Sequence, residues 1–416
     1  MISRVKGTRD YLDLTLFNFI IDQARRHLAG YNFTEIATPI LEPLELFKRS
    51  LGLYTDVVSK EMFVIQPREG SDDQICLRPE ETASTIRAFI ENGIQVTPWK
   101  VFTWGPMFRY ERPQKGRYRQ FHQLNIEIVG TQSIAQDIQL ITLLDRFFHE
   151  ILTLNNYAIL INYLGCQEDR TAYGQKLKTF LDSKAAEMCA TCQERKETNT
   201  MRVFDCKSPT CQEILTTAPR IADHLCTTCA SEWQQLQEQL PLLSVSATYE
   251  PNLVRGLDYY NKTVFEFVSG DLGAQNAFCG GGRYELGKAL GAREPLPSLG
   301  VGIGIERLMM LLEPHVNNLP LPQRPKLHVV MPLSPDQQAL AMIVADSLQA
   351  DGLATDALLE GGSLKSMMRH ANRLGAAYVL MIGEEEQKEG FITVKSMIDG
   401  KQAQVKQAEL LAYLKQ

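Results

Sequence analysis

The stretch Phe108-Arg109-Tyr110-Glu111-Arg112-Pro113-Gln114-Lys115-Gly116-Arg117-Tyr118-Arg119-Gln120-Phe121-His122-Gln123 combines dense positive charge with aromatic side chains. Between Arg109 and Arg119 lie four arginines and one lysine against one glutamate, a local charge of +4. Apolar residues on both sides predict strands at 101–109 and 121–129, so the polar part forms a long hairpin loop. Arg109 and Gln123 fall in the strands rather than at the tip, which favours a strand-built pocket.

The residue types of this hairpin suit a nucleotide. Arginine presents a planar fork of donors that matches phosphate oxygens. Tyr110, Tyr118 and Phe121 offer aromatic surfaces on which a base can stack. The alternative interpretation is a solvated basic hairpin tip that binds nothing.

Two further segments combine arginine with glycine. Residues 253–260 read Leu-Val-Arg-Gly-Leu-Asp-Tyr-Tyr, so that Arg255 stands beside two tyrosines ahead of a predicted strand at 264–268. Residues 300–307 read Gly-Val-Gly-Ile-Gly-Ile-Glu-Arg and lead into an apolar helix at 305–312. This is neither the dinucleotide-binding glycine fingerprint nor a Walker sequence. The glycines instead allow a strand to pass close to a ligand, with Arg307 facing it.

Length, composition and charge set limits on the whole chain. It has 416 residues, 44% hydrophobic and 22% charged, which predicts two to four globular domains. The formal net charge of −6 argues against a protein that holds nucleic acid by bulk positive charge. No apolar run of 18 residues and no secretory leader is evident, so we expect no membrane partner and a cytoplasmic location.

Hydrophobic periodicity predicts the remaining elements. In the first half we expect a helix at 16–28 ending at Gly30, a strand at 33–41, a hairpin at 61–77 with its turn at 66–70, a helix after Pro79 and a helix at 135–154. A proline-rich linker covers 314–325. Beyond it, strands at 326–331, 377–382 and 391–397 alternate with helices at 335–350 and 363–374, which indicates an α/β domain with a mostly parallel sheet.

Seven of the nine cysteines lie between Cys166 and Cys229. In a reducing compartment such clustering favours metal binding over disulfides. Two Cys-x-x-Cys pairs, Cys189 with Cys192 and Cys226 with Cys229, are typical of a tetrahedral zinc site. Cys206 and Cys211 compete for the same four places, and reduced core thiols in a helical insertion are the alternative.

Taken together, these segments resemble class II aminoacyl-tRNA synthetases, and within that class the histidyl-tRNA synthetase family of bacterial type. The arginine hairpin is similar to motif 2 of the class, residues 298–308 to motif 3, and residues 33–50 to motif 1. Residues 253–268 and 279–284 are similar to segments peculiar to the histidyl family, and 359–368 and 374–386 to its anticodon-binding domain. Glu81 and Glu285-Leu286 depart from the family pattern, which usually has glycine and Asp-Gly at these places.

The resemblance implies a fold and a domain order. We expect an α+β catalytic domain with a mainly antiparallel sheet, a small cysteine-rich insertion and a C-terminal α/β anticodon-binding domain. The implied boundaries are 1–165 and 244–320 for the two parts of the catalytic domain, 166–243 for the insertion and 321–416 for the anticodon-binding domain.

The resemblance also implies an enzyme, a histidine–tRNA ligase. Such an enzyme activates L-histidine with ATP and Mg²⁺ to histidyl-adenylate and pyrophosphate. It then esterifies the 3′ end of tRNA(His) and releases AMP. Motif 1 implies a homodimer. No general base is needed for activation because the attacking group is already a carboxylate, and arginines suit such phosphoryl chemistry.

Residue roles follow by position in the family motifs. Arg255 is implied as the main catalytic arginine, between the α-phosphate and the substrate carboxylate, and Arg109 as a second α-phosphate contact. Arg117 and Arg307 are implied to hold the β- and γ-phosphates, with Phe121 stacked on adenine. The implied histidine-binding residues are Glu80, Thr82 and Gln123 for the amino group, Glu127 and Tyr260 for the imidazole, and Tyr259 and Tyr284 lining that pocket.

Two alternatives remain at this point. Catalytically inactive relatives act as regulatory subunits of ATP phosphoribosyltransferase in histidine biosynthesis, but as a group they lose the anticodon domain and the arginines that this chain retains. A synthetase for another amino acid is the second alternative, against which the context of Glu127 and Tyr260 argues.

A structural zinc would hold the insertion together without taking part in catalysis.

Overall fold

The computed structural model describes residues 2–52, 55, 57–67 and 73–415. The chain divides into two compact units, Met1–Leu321 and Pro322–Gln416. Most of the turn predicted at 66–70 lies outside the described residues. Among the residues that the structure describes, no helix is both long enough and apolar enough to cross a lipid bilayer.

The first unit is built on an eight-stranded sheet with the order β1-β5-β6-β11-β10-β9-β7-β8, beside a small sheet with the order β2-β4-β3. The strands are β1 (Thr34–Glu35), β2 (Leu41–Pro43), β3 (Val64–Ile65), β4 (Ile75–Leu77), β5 (Trp99–Phe108), β6 (Gln120–Val129), β7 (Ala158–Tyr163), β8 (Ala247–Tyr249), β9 (Tyr260–Val268), β10 (Ala277–Glu285) and β11 (Pro297–Gly304). In the large sheet only β1 with β5 and β7 with β8 pair in parallel. The predicted mainly antiparallel sheet is therefore confirmed.

Helices cover both faces of this sheet. They are α1 (Thr15–Ala29), α2 (Leu44–Leu51), α3 (Thr82–Glu91), α4 (Ile134–Arg146), α5 (Gln167–Ser183), α6 (Ala190–Thr198), α7 (Pro209–Leu215), α8 (Thr227–Leu242) and α9 (Ile305–Leu312). Side chains of α1, α4, α8 and α9 share one hydrophobic core with the sheet. Side chains of α2, α3 and α5 share a second core. The segment predicted as an insertion thus contributes to both cores.

Several predicted elements differ in detail. Helix α1 ends as predicted, since the backbone N–H of Gly30 donates to carbonyl groups of the last turn. The helix predicted at 135–154 leaves the α-helical form at residue 147 and continues as a π-helical turn, Phe147–Ile151. The strand predicted at 33–41 is broken into β1 and β2, with Pro39 between them. Proline has no backbone N–H to donate to a neighbouring strand, so the strand is interrupted around Pro39.

Strand alternation explains how the site is made. On β6 the side chains of Leu124, Ile126 and Ile128 enter the first core, so the side chains between them point to the opposite face. Those side chains are Gln123, Asn125 and Glu127, and β11 presents Gly304, Gly302 and Gly300 directly opposite them. From Gly300 to Gly304, one face of β11 therefore consists of backbone alone, which leaves space above the sheet for polar groups.

The second unit is a five-stranded sheet with the order β13-β12-β14-β15-β16. Its strands and helices are β12 (His328–Pro332), α10 (Gln338–Ala350), β13 (Thr355–Ala357), α11 (Leu364–Leu374), β14 (Tyr378–Ile382), α12 (Glu384–Glu389), β15 (Phe391–Ser396), β16 (Gln402–Lys406) and α13 (Leu410–Leu414). Strand β12 pairs in parallel with β13 and β14, whereas β14-β15 and β15-β16 are antiparallel. The prediction of a mostly parallel sheet is therefore wrong for the last strands, because a hairpin follows β14. The α/β character of the unit is confirmed.

A buried ion pair fastens β10 to the start of α4. The Arg283 guanidinium donates from Nε to both carboxylate oxygens of Asp137, at 3.0 and 2.9 Å, and from Nη1 to the carbonyl of Thr131 at 2.7 Å. Both side chains are almost completely buried. Removing one charge would leave the other without its partner in the interior, which is the costly case.

We therefore expect Asp137→Asn to lower the free energy of unfolding by about 3–5 kcal/mol, measured by urea denaturation. The control is Asp10→Asn, which breaks an exposed pair with Arg4 at 3.5 Å and should leave stability unchanged within error. Equal losses in the two variants would contradict the role given to the buried pair.

Candidate active site

A cleft of about 460 Å³ opens over the glycine face of the sheet. It is bounded by β6, β10, β11, the beginning of α9 and the tip of the β5–β6 hairpin. Seven of the residues predicted for the site line it: Arg109, Arg117, Phe121, Gln123, Arg255, Tyr260 and Arg307. The three segments that the sequence singled out thus meet in one place.

Two of the arginines are held by backbone carbonyl groups. Arg109 donates from Nε to the carbonyl of Pro79 at 2.9 Å, and its guanidinium lies 5.3 Å from the centre of the Phe121 ring. Arg307 donates to the carbonyls of Gly116 at 2.9 Å and Ala277 at 2.6 Å. Burial and the nearby guanidinium of Arg117 lower the pKa of Arg307. Carbonyl groups orient these side chains without cancelling their charge, so the charge is available to an anion.

The other two arginines are paired with carboxylates. Arg255 forms an ion pair with Glu266 on β9, and the Arg117 Nε lies 2.5 Å from the Glu111 carboxylate. The Arg255 side chain packs closely against Gly280 of β10, because a Cβ at this position would lie 2.6 Å from the Arg255 guanidinium. Glycine at this position is therefore required for the observed placement of the arginine.

Glu127 lies at the bottom of a second, inner group of predicted residues. It is completely buried and accepts hydrogen bonds from the hydroxyls of Thr82 at 2.7 Å and Tyr284 at 2.5 Å. A Cβ at Gly300 would approach the Glu127 carboxylate within 1.9 Å, so only glycine fits there. Burial raises the pKa of Glu127 to about 8.

Tyr259 and Tyr260 complete this inner group. Their ring centres are 4.6 Å apart, and the Tyr259 ring lies 5.4 Å from that of Tyr284. Burial raises the pKa of both hydroxyls, so they act as neutral donors. Tyr260 also lines the cleft and lies 5.8 Å from the Arg255 guanidinium, which joins the inner group to the arginines.

Acceptor groups cluster where the sequence predicted binding of an amino group. The carboxylate of Glu80 is buried and accepts from the backbone N–H groups of Thr82 at 2.8 Å and Ala83 at 2.9 Å, at the beginning of α3. Burial raises its pKa. Within the described part of the chain, the side-chain oxygens of Gln123 and Asn125 are buried without a hydrogen-bond partner. Unsatisfied buried acceptors are costly unless a ligand supplies donors.

The departures from the family pattern have local explanations. Glu81 is buried, but Arg78 forms an ion pair with it at 2.7 Å and the Thr38 hydroxyl donates to it at 2.6 Å. Its charge is thereby neutralised away from the cleft. Glu285 accepts from the backbone N–H groups of Gly287 and Leu296, both at 3.0 Å, and so fastens the turn after β10.

Sequence reasoning missed four residues that matter here. Glu266 pairs with Arg255, Lys207 from the cysteine-rich segment lines the cleft, and Asn125 stands on the site face of β6. Glu306 also lines the cleft; it accepts from the Tyr11 hydroxyl and from the backbone N–H and Nδ1 of His122. Asn125 could have been found from period-two alternation, since it lies between Gln123 and Glu127. The others depend on tertiary contacts.

The cysteines form two separate groups. The Sγ atoms of Cys189, Cys192, Cys206 and Cys211 all lie within 4.8 Å of one another. The second group consists of Cys166, Cys226, Cys229 and a carboxylate oxygen of Asp169, again within 4.8 Å. The predicted ligand set, which joined Cys189 and Cys192 to Cys226 and Cys229, is therefore wrong, because the chain folds each Cys-x-x-Cys pair against different partners.

Comparisons with known proteins agree with this geometry. The family model described as histidyl-tRNA synthetase matches residues 18–308, and the anticodon binding domain model matches 328–416. The chain is 39% identical to a histidine–tRNA ligase of Clostridioides difficile over 99% of this chain and 98% of that protein. It is 41% identical to the histidine–tRNA ligase of Aquifex aeolicus, covering 98% of this chain and 100% of that protein.

Solved structures give the same result. The structure of the apo histidyl-tRNA synthetase of S. aureus is 30% identical in sequence to this chain. The match covers 100% of both chains and has a TM-score of 0.81. A Bacillus halodurans structure titled as an ATP phosphoribosyltransferase regulatory subunit/histidyl-tRNA synthetase shares only 20% identity, covers 92% of this chain and 98% of that one, with a TM-score of 0.62. That likeness shows the fold alone.

The predicted enzyme class, an aminoacyl-tRNA synthetase of the histidine–tRNA ligase type, is thus confirmed. With arginines of three separate segments gathered over the sheet, and with relatives matching over the full length, the chain belongs to the histidyl-tRNA synthetase family.

Proposed function

We propose that this cleft is where L-histidine is activated by ATP and then transferred to the 3′ end of tRNA(His). The observation that carries the proposal is the meeting of Arg109, Arg117, Arg255 and Arg307 in one cleft beside the buried Glu127. A histidine carboxylate oxygen attacks the α-phosphorus of ATP, and the bond from that phosphorus to the bridging oxygen breaks. Pyrophosphate leaves with the bond electrons. A terminal ribose hydroxyl of tRNA then attacks the carbonyl of the adenylate, loses its proton and displaces AMP.

The four arginines divide the negative charge of ATP in this proposal. Arg255 lies between the cleft and the inner group, so it contacts both the α-phosphate and the histidine carboxylate. Arg109 is the second α-phosphate contact, and Arg117 and Arg307 hold the β- and γ-phosphates. Phe121 offers its ring to adenine. Bidentate arginine contacts position the phosphates and stabilise charge that develops in the transition state.

The inner group recognises histidine by paired hydrogen bonds. Neutral imidazole has one donor and one acceptor nitrogen. The Glu127 carboxylate accepts from the first, and the Tyr260 hydroxyl donates to the second. Tyr259 and Tyr284 close the sides of the pocket. The free acceptor oxygen of Gln123, with Glu80 and the Thr82 hydroxyl, receives the protonated amino group.

Magnesium enters with ATP. Among the described residues, the groups with three or more ready metal ligands are the two cysteine groups, not the cleft carboxylates. That fits Mg²⁺, which takes one or two carboxylates together with substrate phosphates and water. Glu266 is a cleft carboxylate that would hold it on giving up its pair with Arg255, whereas Glu306 is already bonded to Tyr11 and His122. When bound, the ion neutralises phosphate charge and orients the leaving pyrophosphate.

The other partners follow from the rest of the chain. The unit that matches the anticodon binding domain model is proposed to contact tRNA(His). A cytoplasmic location is part of the same proposal, because the charged tRNA is consumed in translation. A structural metal in the cysteine-rich segment takes no part in the chemistry, because none of its candidate ligands lines the cleft.

A regulatory subunit of ATP phosphoribosyltransferase is the second candidate function. The Bacillus halodurans structure whose title names such a subunit shares only the fold with this chain, at 20% identity, and so does not favour this candidate. The complete set of cleft arginines and the match to an anticodon binding domain favour the ligase.

The function is tested by histidine-dependent exchange of pyrophosphate into ATP, with each of the twenty amino acids in turn. We expect exchange with histidine alone in the wild type and a fall of at least about 10²–10³-fold in Arg255→Ala, because a contact to the reacting phosphate is lost. The exposed Arg293→Ala is the control and should retain full activity. A regulatory subunit would show no exchange with any amino acid, and normal exchange in Arg255→Ala would refute the mechanism.

Glu127 predicts a pH dependence of histidine binding. With its pKa raised to about 8, the free carboxyl is protonated at pH 7 and must release a proton before it accepts from imidazole. Above about pH 6.5 free histidine has a neutral imidazole. The KM for histidine should therefore fall as pH rises from about 6.5 to 8, with the KM for ATP unaffected.

The matched variant is Glu127→Gln, which cannot titrate. Its KM for histidine should be independent of pH in this range, and kcat/KM for histidine should be roughly 10- to 150-fold lower because a charged hydrogen bond is lost. An unchanged pH profile in Glu127→Gln would assign the titration to another group.

The homodimer is proposed on an apolar surface of the segment similar to motif 1. Ile40 and Leu41 are about half exposed, as are Val64 and Ile65 on β3 at the opposite edge of the small sheet. Exposed apolar patches of this kind mark interaction surfaces. A second copy of the chain is the proposed occupant, because the family resemblance assigns dimer formation to motif 1.

Leu41→Asp should convert the dimer to a monomer, because a charge would be buried in the interface, as sedimentation velocity at micromolar concentration would show. Ile343→Asp, at an exposed apolar position of the second unit, is the control and should remain dimeric. A monomeric wild type, or a fully dimeric Leu41→Asp, would rule out this interface.

A further inference from the structure

The four sulfur atoms of Cys189, Cys192, Cys206 and Cys211 have the spacing of a tetrahedral metal site. The Sγ atoms of Cys189 and Cys206 are 3.7 Å apart. A tetrahedral zinc with bonds of about 2.3 Å to sulfur sets its ligands about 3.8 Å from one another. The cysteines are unpaired by disulfides, and three of the four are buried. The four sulfur atoms thus surround a common centre, as the ligands of a tetrahedral metal ion do.

Backbone amides support this arrangement. The N–H of Cys189 donates to the Cys211 sulfur at 3.3 Å, and the N–H of Ser208 donates to the Cys206 sulfur at 3.4 Å. Amide donors aimed at sulfur stabilise the charge of metal-bound thiolates and orient them. A packed core of neutral thiols has no need of such donors, since thiols are only weak acceptors.

The segment inside the group reaches the active-site cleft. Between Cys192 and Cys206, Asn199 donates to the carboxylate of Asp258 at 2.9 Å, and Arg202 donates to the carbonyl of Gly256 at 2.5 Å. Asp258 and Gly256 belong to the loop that carries Arg255 and leads into β9 at Tyr260. These contacts attach the cysteine-rich segment to the loop of the proposed catalytic arginine.

One cation of the segment enters the cleft itself. Lys207 directly follows Cys206 and lines the cleft together with Arg117 and Arg255, while its side chain remains exposed. An exposed lysine on a free loop would populate many side-chain conformations, few of which reach the cleft. Fixing the preceding cysteine on a metal holds the backbone from which the lysine side chain extends, so that the side chain stays within reach of the cleft.

We infer that Cys189, Cys192, Cys206 and Cys211 form a structural zinc centre that holds Lys207 at the cleft, where the lysine binds a phosphate group of a substrate. The inference about Lys207 rests on the proposed function, whereas the zinc centre does not. The phosphate belongs either to ATP or to the 3′ end of tRNA, since both enter this cleft. The second group, with Cys166, Asp169, Cys226 and Cys229, serves as the internal comparison.

Metal content tests the centre. The purified full chain should hold at least one zinc per protomer by mass spectrometry, and its cobalt-substituted form should show the absorption of tetrahedral cobalt–thiolate coordination. Cys192→Ser and Cys206→Ser should each lose one equivalent, whereas Cys76→Ala should lose none. Cys226→Ser should keep the metal of the first group. A wild type without metal, or loss of all metal in Cys226→Ser alone, would overturn the proposal.

Kinetics test the role of Lys207. Lys207→Ala should keep its zinc and raise roughly two- to fivefold the KM for ATP in pyrophosphate exchange, or the KM for tRNA in aminoacylation, according to which phosphate it contacts. Cys192→Ser, whose substitution is far from Lys207 in sequence, should reproduce that rise. Lys176→Ala, an exposed lysine of the same segment away from the cleft, is the control. Unchanged KM values for both substrates in Lys207→Ala would show that the lysine does not bind a substrate phosphate.

Absence of histidine-dependent exchange in the wild type would overturn the proposed function while leaving the zinc result intact.

Discussion

The structure depends on a strand that offers no side chains on one face between Gly300 and Gly304. Where β11 runs beside β6, Gly300, Gly302 and Gly304 oppose Glu127, Asn125 and Gln123, and any larger residue at 300 would occupy the space of the Glu127 carboxylate. The opposite face of the same strand places Val301 and Ile303 in the hydrophobic core. One sequence of alternating glycine and aliphatic residues therefore anchors the sheet on one side and creates the floor of the cleft on the other.

Charge is arranged around this floor so that the cleft is not simply positive. Arg255 and Arg117 are paired with Glu266 and Glu111, whereas Arg109 and Arg307 are oriented by carbonyl groups. Paired arginines can exchange a carboxylate partner for a phosphate, and carbonyl-held arginines keep their full charge for it. The net charge of −6 gave a poor indication of the ligand, since the relevant charges are a few side chains in one place.

Much of this could be predicted from the sequence, and the reasons are local. Gln123 was placed correctly in a strand because apolar runs bracket the basic hairpin, and helix α9 has the bounds that its periodicity predicts. Arg109 was predicted in a strand but directly follows the last residue of β5. Contacts distant in sequence could not be predicted. Glu266 and Lys207 join the cleft only through strand order and the packing of the inserted segment, and the pairing of the cysteines depends on which helix each Cys-x-x-Cys begins. The antiparallel end of the second sheet was missed because strand direction is not encoded locally: β15 was predicted, but its pairing with β14 after α12 is antiparallel, and the short strand β16 carries a weak apolar pattern.

The hairpin of β9 and β10 has a consequence for how this catalytic unit can change. Gly280 and Glu266 face each other in the register of the two strands, and the Arg255 side chain lies between the glycine that leaves it room and the glutamate that pairs with it. Three positions separated by up to 25 residues of sequence thus specify one placement. These three positions would therefore have to be exchanged together in recombination. A recombinant that received only one of the two strands would combine the arginine with a glutamate or a glycine position from a different protein. A recombinant that received the whole hairpin with its preceding loop would keep the arginine site intact.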